Sequence, residues 1–101
     1  MPIPPKDSNN LEITVSPDVI EGVYSNFVAI SHSSAEFLLD FVRVLPGTNK
    51  APVKARIVMS PEHVKRLLLA LGANVHKYEQ VFGEIKLPNP GMPATGMSGE
   101  A

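Results

Sequence analysis

The sequence predicts an α+β fold: an antiparallel sheet of three to four strands, followed by one long C-terminal amphipathic helix packed on one sheet face. Three observations carry this. Val23–His32 and Ala35–Leu45 are rich in β-branched and aromatic residues, as strands are. Residues 51–59 alternate, with Val53, Ala55, Ile57 and Met59 on one side and Lys54 and Arg56 on the other. Val64, Leu67, Leu68, Leu71, Val75, Tyr78 and Phe82 then recur at helical spacing.

Taken in order, residues 1–10 hold prolines among polar residues and read as a disordered tail. Leu11–Val15 (LEITV) alternates apolar and polar, which predicts a short strand. Ser16–Gly22, with Pro17, Asp18 and Gly22, is a turn or crossing segment. Val23–His32 and Ala35–Leu45 follow as strands joined by a turn at Ser33–Ser34. Pro46–Pro52 (PGTNKAP) is a loop with Pro-Gly chemistry. The hairpin register that sets apolar against apolar places Phe41 opposite Ile57, Leu39 opposite Met59 and Leu45 opposite Val53. It also places Val42 opposite Arg56, with Asp40 diagonal to Arg56.

The helix is predicted over Pro61–Phe82. Ser60 suits the N-cap, Pro61 the first helical position and Glu62 the positive end of the dipole, and Gly83 is a natural stop. At 1.5 Å per residue it is about 33 Å long, enough to cross a small sheet. Gly72 is unexpected mid-helix, where it costs about 1 kcal/mol relative to Ala, and suggests a close approach. Residues 86–101 (KLPNPGMPATGMSGEA) read as a second disordered tail, which leaves 11–85 as a single domain.

Composition narrows the function classes. The chain has 101 residues, is 44% hydrophobic and carries a net charge of −1, so no whole-molecule field attracts nucleic acid or an anionic membrane. With no cysteine, disulfides, thiol catalysis and thiolate metal sites are excluded. The first residues have neither the basic start nor the apolar run of a secretion signal, and no apolar stretch spans a bilayer. A cytoplasmic protein is expected.

Two features point to partners. The strands are apolar on both faces: Phe27 and Ala29 alternate with Val28 and Ile30, and Leu38, Val42 and Val44 with Phe37, Leu39 and Phe41. One helix covers one face, so a second copy is expected over the other, as a dimer or higher homo-oligomer. The expected self-interface or client contacts are Phe27, Leu38 and Val42 on the second sheet face, and Leu69 and His76 on the outer helix face. Charge is also segregated. Asp7–Asp40 holds six acids and no base, whereas Arg43–Arg66 holds Arg43, Lys50, Lys54, Arg56, Lys65 and Arg66 against Glu62 alone. As a surface for nucleic acid this would use Arg43, Lys54, Arg56, Lys65 and Arg66. The structural reading, cross-strand pairing of Glu36 and Asp40 with Lys54 and Arg56, is preferred, because neighbouring acids cancel much of the field.

Catalytic and metal motifs are not found. His32, Ser33, Ser34 and Asp40 lie around a tight turn without nucleophile-elbow glycines, and serine hydroxyls there serve local backbone groups. His32, His63, His76 and Glu36 have no recognised ligand spacing. The Gly47 loop is no phosphate cradle. No enzyme and no cofactor are expected.

The phrases YSN, SHSSAEFLLDF, LPG and SPEHVKRLL, spread over roughly residues 11–85, resemble the domain-of-unknown-function 3467 family. The resemblance implies a small prokaryotic protein of unknown function. It carries over no catalytic residue and leaves both tails outside. A sheet followed by a long helix and completed by oligomerisation is also similar in layout to SecB-type export chaperones, by fold analogy alone. The expected function is thus a non-enzymatic assembly protein that binds itself and a protein client. A nucleic-acid-associated regulator is the alternative.

Overall fold

A computed structural model describes residues 11–88 and 98–100, the last three as backbone. It is an α+β arrangement: three antiparallel strands and then one long helix. The strands are β1 (Phe27–His32), β2 (Phe37–Val42) and β3 (Val53–Met59), and the helix is α1 (Pro61–Phe82). A short strand β4 (Ser98–Glu100) lies parallel to β1 along Ile30–His32, giving the order β3-β2-β1-β4. It falls within the stretch read as the second tail. Residues 1–10, 89–97 and 101 of the two expected tails lie outside the described residues.

β1 and β2 form a hairpin closed by Ser33–Glu36, with His32 opposite Phe37 and Phe27 opposite Val42. The Ser33 hydroxyl accepts from the amides of Ala35 (3.1 Å) and Glu36 (3.4 Å), the role expected of a turn serine. The strand expected at Leu11–Val15 does not form, and that segment is exposed and irregular. A short alternating segment becomes a strand only by pairing, and the outer edge of β1 is paired along Ile30–His32 by β4 rather than by this segment. The expected turn at Ser16–Gly22 is present, closed by amide bonds to the Ser16 and Val19 carbonyls.

The β2–β3 register differs from the expected one by two residues. Leu39 faces Ile57 rather than Met59, Phe41 faces Ala55 rather than Ile57, and Asp40 lies directly opposite Arg56. An even slip keeps every side chain on its expected face. The cause lies at the loop end. Val44 is held by the Asn26 side chain, which donates from Nδ2 to its carbonyl at 3.0 Å and accepts its amide at Oδ1 at 2.7 Å. Val44 and Leu45 are thereby drawn away from β3, and the ladder ends in a bulge at Phe41/Val42.

Alternation then defines two faces. Val28, Ile30, His32, Phe37, Leu39, Phe41, Ala55, Ile57 and Met59 share one, which is apolar apart from His32. Phe27, Ala29, Ser31, Leu38, Asp40, Val42, Arg56 and Val58 share the other. The apolar pattern on both faces is as expected.

The helix limits match the prediction. Ser60 caps the start, accepting the His63 amide at Oγ, and Gly83 closes the end through its amide to the Glu79 carbonyl at 2.9 Å. Its expected packing on the sheet is not found. Among the described residues none of α1 is buried, and the extensive packing between elements is that of neighbouring strands. Ser60 is the only residue between β3 and α1, and it is extended (φ −71°, ψ 159°), the conformation a following proline imposes. α1 leaves β3 through this one residue and buries none of its own residues on the strands.

Candidate interaction surface

Among the described residues, the buried hydrophobic core consists of Leu39 and Val42, each 6% exposed. Leu39 sits at the centre of β2 between Ile30 and Ile57, one core residue on the more apolar face. Val42 lies between Phe27 and Val53 on the opposite face. Val42 was expected at an interface, but within one chain it is packed rather than open, because strands on both sides flank it. Phe27 and Leu38, on the same face, are half-buried.

The helix carries the largest open apolar surface. Leu68, Leu71, Tyr78, Val81 and Phe82 are all exposed, Phe82 to 72%. The Tyr78 and Phe82 rings lean together with centroids 4.9 Å apart, which fixes both on one side of the last turns. Leu69 and His76 are exposed as well, on a separate side of the helix.

The basic residues are mostly exposed, and three of them are held by polar partners. The Arg56 guanidinium grips Asp40 through two parallel bonds, Nε to Oδ1 at 2.7 Å and Nη2 to Oδ2 at 2.9 Å. That pairing holds the Asp40 carboxyl below its ordinary value and raises Arg56, because each charged form stabilises the other. Arg66 pairs with Glu62 at 3.0 Å, one helical turn away. Arg43 donates from Nε to the Tyr24 carbonyl at 3.3 Å. Lys54 and Lys65 are exposed. Lys54 and Arg56 lie on β3 and Lys65 and Arg66 on α1, so the five do not share one element.

The residues weighed for chemistry do not converge. His32 stacks on Phe37 (centroids 5.1 Å) on one face, and Asp40 lies on the other. His63 Nδ1 is 2.8 Å from Ser60 Oγ at the helix cap. No group of three or more His, Cys, Asp or Glu among the described residues is placed to hold a metal. No helix of the described residues is long and apolar enough to cross a membrane.

These placements run through the phrases that carry the family resemblance. A family model described as protein of unknown function (DUF3467) matches residues 2–87. The chain belongs to that family. No curated protein and no solved structure matches it. The DUF3467 match begins at residue 2, so the first tail, read as outside the similarity, lies within it. It ends before β4. Its phrases fall on structural joints. YSN brings the Tyr24 carbonyl, the Ser25 hydroxyl and the Asn26 amide that tie the start of β1 to the end of β2. SPEHVKRLL brings the helix cap. Sequence reasoning missed Asn26, although an asparagine directly before a strand, with both donor and acceptor on its side chain, was a usable signal.

Proposed function

We propose that this DUF3467 protein is a non-enzymatic, self-associating interaction protein, whose assembled form also docks a protein client. The observation that supports the reading is the mismatch between core and surface. Leu39 and Val42 are buried, while the apolar side of α1 and much of the sheet stand open. Two buried side chains do not offset the conformational entropy of an ordered unit of this size. A second copy supplies the missing layer, and exposed apolar area of this extent marks an interaction surface. Leu69 and His76 supply a client contact on the free side of the helix, and Phe27 and Leu38 one on the sheet.

Binding of nucleic acid is the weaker reading. Arg56 and Arg66 are each neutralised by an acid, which lowers the field at that surface. The export-chaperone layout rests on fold analogy alone. Sedimentation velocity at low and high salt tests the proposal. A multimer that persists in high salt is expected, because apolar contacts hold it. A folded monomer at every concentration would overturn it.

A further inference from the structure

The apolar residues of α1 have a stricter order than a stripe for a sheet requires. Val64, Leu68, Leu71, Val75, Tyr78 and Phe82 follow one another at alternating spacings of four and three. That is the seam of a two-stranded coiled coil, with Leu68, Val75 and Phe82 at one core position and Val64, Leu71 and Tyr78 at the other. None of the six is buried in the chain.

We propose that α1 pairs antiparallel with α1 of a second copy, about a two-fold axis at Ala73. The inference rests on the self-association proposed above and names the element and register that perform it. Reversed about Ala73, the seam meets itself: Val64 against Phe82 of the partner subunit, Leu68 against the partner's Tyr78, and Leu71 against the partner's Val75.

Charge selects this direction. Lys65, Gly72 and Glu79 line one flank of the seam, and Leu67, Asn74 and Val81 the other. In the antiparallel pair Lys65 faces the partner's Glu79 at both ends of the flank, and Gly72 meets the partner's Gly72 in the middle. In a parallel pair Lys65 and the partner's Glu79 lie about 21 Å apart along the axis, beyond useful attraction. Glu79 accepts the Ile85 amide at Oε2 (2.9 Å), which leaves Oε1 for a lysine. Leu67 and Val81 meet on the other flank and widen the apolar contact.

Gly72 is the independent sign. A Cβ built there meets nothing within 4 Å, so nothing among the described residues requires a glycine in the middle of this helix. A residue that costs about 1 kcal/mol relative to Ala is accounted for when a second helix passes close by. Leu69 and His76 face away from the seam and stay free in the paired state.

Two experiments on the full chain read the pairing. In the first, Lys65→Glu and Glu79→Lys are purified separately and then mixed. Each alone brings like charges together at both ends and associates roughly 3–10-fold more weakly. In the mixture both contacts have opposite sign, so heterodimers form in preference to either homodimer. The comparison does not depend on the lost Ile85 contact, which both the homodimer of Glu79→Lys and the heterodimer lack in that chain. In the second, the chain's lack of cysteine allows single-cysteine variants to be read unambiguously. Val64→Cys mixed with Phe82→Cys forms a disulfide on mild oxidation, and neither does so alone, since like positions are about 27 Å apart. If Phe82→Cys cross-links alone, the pair is parallel and the proposal fails. If dimers persist with no heterodimer preference and no mixed disulfide, the helix pairing fails while self-association stands. If every variant and the native chain are monomeric, both fail.

Discussion

At the scale of single residues, two polar contacts set where the strands begin and how they align. The Asp40–Arg56 pair lies directly across β2 and β3, and it marks the register that the apolar pattern alone left two residues adrift. Asp40 is lowered chiefly by its hydrogen bond to Arg56, so the ion pair stabilises the folded chain above the ordinary carboxylate range. The contribution fades as pH falls through the lowered folded value. Asp40→Asn is therefore expected to be less stable than the native chain at pH 7, and to converge with it in acid, below the lowered folded value, in urea melts compared across pH. Convergence at neutral pH would sink this assignment. Asn26 acts on the other hairpin by holding both the amide and the carbonyl of Val44. Asn26→Ala is expected to cost about 1–2 kcal/mol and to raise hydrogen exchange at the Val44 amide. Unchanged exchange there would show that the side chain does not set the end of β2.

At the scale of elements, the helix was the most legible part of the sequence and the loop after β2 the least. Ser60, Pro61 and Gly83 are local signals that need no partner, and α1 starts and stops where they place it. Ser60→Ala should cost about 1 kcal/mol by loss of the cap. Gly83 has φ +97° and ψ 167°, a region that is essentially glycine's own, so Gly83→Ala should cost about 1–3 kcal/mol and fray the last turn by circular dichroism. Both values refer to fixed protein concentration. Strand ends were read too long. Val23–Asn26 and Arg43–Leu45 have strand composition, yet backbone pairing continues only through the amides of Asn26 and Arg43, to Val42 and Pro52, and Val44 is held by the Asn26 side chain instead. Composition does not encode such contacts across the hairpin. Leu11–Val15 has the alternation of a strand but pairs with no strand of the sheet, and alternation alone does not encode a pairing partner.

At the scale of the whole molecule, the strand faces were correctly read from alternation, and the shortage of core was anticipated from the size of the ordered unit. The place of the helix was not. The stripe on α1 was assigned to the sheet, although its alternating spacings of four and three suit another helix, and none of its residues is buried. In the proposed assembly the remaining apolar surface is covered by a second copy, and folding and assembly are then one process. Leu39→Ala, at the centre of the sheet, should cost about 2–5 kcal/mol and lower the multimer population with it. The most direct measurement is the urea midpoint as a function of protein concentration. The account predicts that it rises as the chain is concentrated, because association stabilises only the folded form. A midpoint independent of concentration, with a monomer's mass throughout, would contradict it.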